Sequence, residues 1–242
     1  QLPIPAVLTV HGNGKEGEIF PKNTVFLSKN HAERHGATSF VYNGVNPAEY
    51  SFAPQSKEDW FLFLSKTSWS VKNLSGAMRY CSKARKPLKI AGGNRPFMKR
   101  LICAFHPRQK WVGPVAGQPK AQLLTQAKAL LFPVIWPEPF GLVVVEALIS
   151  GTPVIASRCG SLPELIPETG PEVGMLAETE EEWIQALQGD LARWDPSRCR
   201  AWALEKFHFH RMAEEYVKVY RQVLAGRSLH DTNPIGRNWR SS

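Results

Sequence analysis

The stretch Trp136-Pro137-Glu138-Pro139-Phe140-Gly141-Leu142-Val143-Val144-Val145-Glu146-Ala147-Leu148-Ile149-Ser150-Gly151-Thr152-Pro153 decides how the chain reads. It follows an apolar run over 130–135 that has the length of a buried strand. Two prolines and a glycine make the next few residues stiff and sharply bent, and a helix is expected over 141–150. Gly151 and Pro153 end that helix, and another apolar strand is expected over 153–156. Strand, helix and strand at this spacing form the repeating unit of a parallel sheet.

The same alternation runs outward on both sides. Strands are expected over 61–64, 88–91 and 111–112, with helices over 74–84, 96–105 and 119–129. Leu74, Ala77, Met78 and Cys81 share one face of the first of these helices. Beyond residue 180 the pattern is helical, over 181–191, 196–205 and 212–224. The fold class is therefore α/β: a Rossmann-like parallel sheet with helices on both faces. Ligands of such sheets bind beyond the carboxyl ends of the strands, which directs attention to the residues after Leu64, Ala91, Ile135 and Ala156.

Two carboxylates in the quoted stretch carry the chemistry. Glu138 lies just ahead of the helix, where free backbone N–H groups and the helix dipole favour anions. Gly141 has no side chain to obstruct an approach to those amides, so the position is a phosphate seat by geometry. Glu146 stands among Val143, Val144, Val145, Ala147 and Leu148, where a buried carboxylate needs hydrogen-bond donors such as two ribose hydroxyls. Taken singly, each glutamate has another reading: charge compensation at a helix start for Glu138 and a solvated helix face for Glu146.

The amino-terminal part reads differently. A strand over 6–10 leads into the glycine-rich loop 11–17, which lacks the GxxxxGK[ST] phosphate pattern. Short strands follow over 24–27 and 40–42, with a short helix capped by Ser28 between them. The opening strand reads as one already buried against something, so the chain is expected to be truncated at its amino-terminal side. The resulting division is a remnant over 1–46, a linker over 47–56, a ligand-binding domain over 57–210, a crossover helix over 211–226 and a flexible tail over 227–242.

Composition bounds the function classes. In 242 residues, 43% are hydrophobic, enough for a packed core. No apolar run reaches the roughly 18 residues of a spanning helix, and no secretion signal is visible. The four cysteines form no CxxC pair and read as reduced cytosolic thiols. The expected location is the cytoplasm, with peripheral membrane association left open. The formal charge of +9 suits a diphosphate or an anionic membrane face as well as scattered surface lysines; no aromatic-basic motif supports nucleic acid. His31 and His35 have metal-ligand spacing without a third ligand and read as a solvated helix face, and no metal site is expected. His208 and His210, alternating with Phe207 and Phe209, read as helix packing.

As a whole, the string resembles the signature of retaining GT-B glycosyltransferases of family 4. Two glutamates with seven residues between them enclose Pro139-Phe140-Gly141-Leu142, and Gly151-Thr152-Pro153-Val154-Ile155-Ala156 follows. Gly160-Ser161-Leu162-Pro163-Glu164-Leu165-Ile166 resembles the family's next loop and helix, with Ser161 and Glu164 spaced as a capping box. Leu64-Ser65-Lys66 and Lys72-Asn73 stand where the family carries glycine-arginine and lysine-glycine. The departures are Lys66 for arginine, which loses the bidentate fork, and Ser65 and Asn73 for glycines. Asn43-Gly44-Val45-Asn46 is similar to the family's interdomain linker, residues 217–224 to its closing helix, and 8–12 to its last inner amino-terminal strand.

The resemblance implies the carboxyl-terminal half of a GT-B fold. It further implies transfer of a sugar, with retention, from a nucleotide-diphosphate donor to a hydroxyl acceptor such as a glycan or lipid-linked glycan. No cofactor and no metal are implied. Lys66 and Lys72 would hold the diphosphate, helped by the Gly141 and Leu142 amides beside Phe140. Glu138 would contact the donor sugar, Glu146 the ribose, and His11 the sugar from the strand end. Two readings remain beside it for the lysines and for His11: surface lysines flanking a loop, and a mobile histidine. For the whole chain the alternatives are a nucleotide-sugar-binding module that cannot catalyse transfer by itself, a nucleotide-sugar epimerase and, remotely, a nucleic-acid-binding protein. Base choice is expected to rest on the loop 113–117.

Overall fold

Phe61–Leu64, Ala129–Phe132 and Val154–Ser157 form strands of a six-stranded sheet because each presents apolar side chains to both faces. The computed structural model describes residues 4–93, 107–169 and 172–237. Its elements in chain order are β1 (Leu8–Thr9), β2 (Thr24–Val25), α1 (Lys29–Glu33), β3 (Phe61–Leu64), α2 (Leu74–Ala84), β4 (Leu88–Ala91) and β5 (Gln109–Gly113). They continue as α3 (Gly117–Gln126), β6 (Ala129–Phe132), α4 (Leu142–Ile149), β7 (Val154–Ser157), α5 (Leu162–Leu165), β8 (Gly174–Ala177), α6 (Glu180–Gln188), α7 (Pro196–Phe207) and α8 (Phe209–Leu224). The helix expected over 96–105 lies outside the described residues.

The large sheet has the order β5-β4-β3-β6-β7-β8, and every pairing is parallel. From β3 the chain winds one way through β4 and β5; from β6 it winds the other way through β7 and β8. The order therefore reverses between β3 and β6, which opens a crevice beyond Leu64 and Phe132. Period-two alternation along the strands feeds two cores. Leu62, Leu64, Leu130 and Phe132 join Val144, Leu148, Ala203 and Phe207 on one face, while Phe61, Phe63, Leu131 and Ile155 join α2 and α6 on the other. On that second face Tyr80 stacks on Trp183 with centroids 5.2 Å apart.

Strand β8 was not expected from the sequence. Gly174-Met175-Leu176-Ala177 contains no β-branched residue, and it is strand because its backbone pairs with Val154–Ser157 at the sheet edge. The strand expected over 40–42 is reduced to a bridge between Phe26 and Phe40. Ser161 and Glu164 do not form a capping box: the Ser161 hydroxyl bonds to the Phe140 carbonyl at 2.7 Å. The box occurs instead at Thr179 and Glu182, where α6 begins.

Glu164 reaches across to the amino-terminal part. Its carboxylate accepts from the Lys29 and Asn30 amides at 2.9 and 2.7 Å and from the Tyr42 hydroxyl at 2.8 Å, completing the cap of α1. His31 and His35 are buried rather than solvated, packed against Phe26 at 5.0 and 4.7 Å. His208 stacks on Phe209 with centroids 4.8 Å apart and also caps α8, its Nδ1 accepting from the His210 amide. Residues 229–236, expected as a loose terminus, are held by hydrogen bonds. His230 Nε2 lies 2.8 Å from the Thr24 carbonyl, and the Phe20 amide donates to Pro234. No helix among the described residues is long and apolar enough to cross a membrane.

Candidate functional site

The loop 136–141 crosses the crevice, and its carbonyls are satisfied one by one from elsewhere in the chain. The Pro137 carbonyl accepts from Asn13 Nδ2 at 3.0 Å and from Arg34 at 3.4 Å. The Glu138 carbonyl accepts from the Ser161 amide at 3.0 Å, Pro139 from the Ser28 hydroxyl at 2.8 Å, and Phe140 from the Ser161 hydroxyl at 2.7 Å. Three of these donors come from the amino-terminal part and two from Ser161 at the start of α5, so both parts of the chain fix the loop. Gly160 lets it lie close: a Cβ there would stand 2.3 Å from the Glu138 nitrogen. Gly141, with φ of 88°, turns the loop into α4 and leaves its first amides without a side-chain cap.

These constraints aim the side chains. Glu138 Oε2 lies 2.6 Å from Lys72 Nζ and 2.6 Å from Trp136 Nε1, and the two charged side chains are each 10% exposed. Lys72 arrives from a 3-10 turn (Ser70–Lys72) after β3, and its ammonium lies 5.2 Å from the Phe132 ring and 5.0 Å from that of Trp136. The next residue, Asn73, takes a left-handed conformation with φ of 53° and caps α2 through the Gly76 amide at 3.0 Å. Asparagine tolerates that conformation, so its replacement of glycine leaves the turn intact.

Glu146 is buried, not on a solvated face. Its Oε1 accepts from the Tyr50 hydroxyl at 2.9 Å and from Lys120 Nζ at 2.6 Å. Burial first, and then the neighbouring Glu146 charge, push the Tyr50 phenol well above its usual range, so it remains a donor. A hollow of about 330 Å³ beyond β3 and β6 is lined by Lys72, Lys120, Glu138, Gly141, Leu142 and Glu146, with Leu64 and Phe132 at its base.

The other expected site residues lie around this hollow rather than in its wall. Lys66 is exposed, its ammonium 4.5 Å from the Trp69 ring, which meets Trp136 edge-on at 6.1 Å. Phe140 is buried between Tyr42 and Phe207, with centroids 6.1 and 5.8 Å away. His11 is exposed at the head of a loop held at Gly12 and Asn13 by contacts with His31 and His35. Of the loop 113–117, Val115 reaches the hollow. Among the described residues no group of three or more metal-ligating side chains occurs.

Lys120, Tyr50 and Trp136 were not singled out from the sequence. Trp136 stood inside the decisive stretch, and an indole beside two prolines was a usable sign. Lys120 and Tyr50 carried none, because tertiary contacts bring them to Glu146.

Residues 58–192 match the sequence model of the family described as glycosyl transferases group 1. The chain is 26% identical over 216 residues to an uncharacterized glycosyltransferase of Methanocaldococcus jannaschii, covering 75% of this chain and 53% of that protein. It is 26% identical over 209 residues to a phosphatidyl-myo-inositol mannosyltransferase of Mycobacterium leprae, covering 78% and 54%. The chain thus spans about half the length of these curated relatives. Among solved structures, AviGT4, a glycosyltransferase involved in avilamycin A biosynthesis, superposes with a TM-score of 0.74 at 26% identity, covering 91% of this chain and 68% of that one. HepE of Anabaena, solved in complex with UDP and glucose, shares the fold at 17% identity and a TM-score of 0.67, covering 82% and 63%. The α/β architecture is that of the GT-B glycosyltransferases, and the chain belongs to the glycosyl transferases group 1 family.

Proposed function

We propose that this chain is the donor-binding half of a retaining, metal-independent glycosyltransferase of family 4. It would take a sugar from a nucleoside-diphosphate carrier in the hollow between β3 and β6. The observation that carries the reading is the convergence of Lys72, Lys120, Glu138, Glu146 and the start of α4 on that hollow. Its volume falls at the small end of ordinary small-molecule sites. The Anabaena neighbour, crystallised with UDP and glucose, supports a nucleoside diphosphate as the ligand.

In this reading the diphosphate meets the uncapped α4 amides and displaces Glu138 as the partner of Lys72, with Lys66 closing from the rim. Glu138, released from the lysine, faces the sugar and supports the positive charge that grows as the bond to phosphate breaks. Glu146 keeps Oε1 on Tyr50 and Lys120 and offers Oε2 to the ribose hydroxyls. The acceptor hydroxyl attacks on the face that the diphosphate leaves, and the leaving phosphate oxygen takes its proton. His11 approaches the sugar from the loop ahead of α1. The acceptor is a hydroxyl of a glycan or of a lipid-linked glycan at the membrane surface.

A second reading is a module that binds donor without transferring it; it is favoured by the Lys72–Glu138 pair, which engages at 2.6 Å the two groups that would otherwise act on the donor. Calorimetric titration with UDP-, GDP- and ADP-sugars, followed by assay of sugar release with and without a hydroxyl acceptor, separates the two. Binding with transfer supports the first reading, and binding without release the second. An epimerised sugar, or no binding of any donor, overturns both.

A further inference from the structure

Arg34, the residue that ends α1, is half-buried between the loop 11–17 and the loop 136–141. A guanidinium carries five N–H donors and stays charged at every working pH. Three of those donors are engaged in Arg34. Nε donates to Asn30 Oδ1 at 2.8 Å, and Nη2 donates to Asn13 Oδ1 at 3.0 Å and to the Pro137 carbonyl at 3.4 Å. The two N–H groups on Nη1 have no partner among the described residues.

All of these acceptors are neutral, and among the described residues no carboxylate forms a salt bridge with Arg34. The titratable groups around it are Cys159, Glu164 and His31. Burial raises the Cys159 thiol and holds the His31 imidazole down at about 3, so both stay neutral. Glu164 acts on Arg34 only through space, its oxygens being taken by the Lys29 and Asn30 amides and the Tyr42 hydroxyl. A half-buried cation with no paired anion is costly, and an anion from outside the chain offsets that cost. The donor diphosphate is not that anion, because Arg34 does not line the hollow between β3 and β6. Its bond to Pro137 instead sets it on the flank of the loop that carries Glu138, and Cys159 feels the charges of both Arg34 and Glu138.

We propose that Arg34 binds an anionic group carried by the acceptor, a phosphate monoester or a carboxylate, through its Nη1 edge. The inference rests on the reading of this chain as the donor-binding half of a glycosyltransferase, with the sugar held beside Glu138. The Pro137 bond fixes the guanidinium against the Glu138 loop. An anion on Nη1 is therefore held in register with the donor sugar, and the acceptor hydroxyl is presented to it. Acceptors with such a group are selected over neutral ones.

The test is calorimetric titration of the intact protein with glucose, glucose 6-phosphate, glucuronate and inorganic phosphate, each with and without excess UDP, GDP or ADP. Glucose 6-phosphate or glucuronate should bind at least about tenfold more tightly than glucose, whether or not nucleotide is present. Arg34→Gln should remove that advantage. Asn30→Asp should remove it too, because it places a carboxylate where Nε already donates and keeps the bonds to the loop 136–141. The proposal is overturned if neither sugar anion binds more tightly than glucose, or if excess nucleotide displaces the sugar anion. Inorganic phosphate binding as tightly as the sugar anions would mean an adventitious ion only and also overturns it. So does an advantage lost in Arg34→Gln but kept in Asn30→Asp, which would make Arg34 a brace for the loop. Failure of every nucleotide to bind the parent sinks the donor reading instead, and the anion preference is then read from the titrations without nucleotide.

Discussion

Lys72 and Glu138 are joined at 2.6 Å although 66 residues separate them, and both side chains are almost wholly enclosed. The pair couples the turn after β3 to the loop after β6, the two strands between which the sheet reverses. Breaking one side leaves an uncompensated buried charge, whereas replacing both leaves none. Lys72→Met and Glu138→Gln should therefore each lower unfolding stability by about 2–4 kcal/mol, and the double variant by less than their sum. Urea unfolding of the four proteins gives the coupling; strict additivity would mean that the two groups do not interact in solution.

Lys120 is the residue whose role depends most on the tertiary structure. If it positions Glu146 for a ribose, Lys120→Met should weaken nucleoside-diphosphate binding by about 1–3 kcal/mol. Tyr50→Phe, which removes one neutral hydrogen bond, should weaken it by about 0.5–1.5 kcal/mol. Glu146→Ala should cost at least as much as Lys120→Met. Titration calorimetry decides the matter, and an unchanged affinity in Lys120→Met would remove that lysine from the site.

Gly160→Ala should be among the most damaging small substitutions. The new Cβ would meet backbone atoms of Glu138 at 2.3 and 2.5 Å, from a residue whose φ is 61°. A loss of about 2–4 kcal/mol is expected from the clash and the backbone strain together. Thermal unfolding reads it directly, and a variant within 0.5 °C of the parent would show that the loop 136–141 can shift freely.

His31 predicts a pH dependence. Burial above all, then the charges of His35 and Arg34, hold its imidazole down at about 3, against 6.5 for the ordinary group. Between those values the unfolded chain binds a proton that the folded protein refuses. The stability it contributes is present above pH 6.5 and is lost as the pH falls toward 3. The loss is on the order of 1 kcal/mol for each pH unit below about 6. His31→Gln should show a shallower decline of the urea midpoint between pH 7 and pH 4.5, and parallel curves would exclude this source.

The sequence by itself determined the parallel α/β sheet, the stiff turn into α4 and the two glutamates that flank it. Those features are local: continuous apolar runs, proline and glycine geometry, and a carboxylate in an apolar helix turn each state their meaning within a few residues. It also placed Lys72 at a strand end. Only the tertiary structure decided that Lys72 closes on Glu138, that Lys120 and Tyr50 hold Glu146, and that Lys66 and His11 stand outside the hollow. It likewise decided that Gly174–Ala177 is a strand, that His31 and His35 are buried, and that residues 229–236 fold back onto the amino-terminal part. In every such case a residue's partner lies far away along the chain, and burial or charge pairing supplies the energy that its own neighbourhood does not encode.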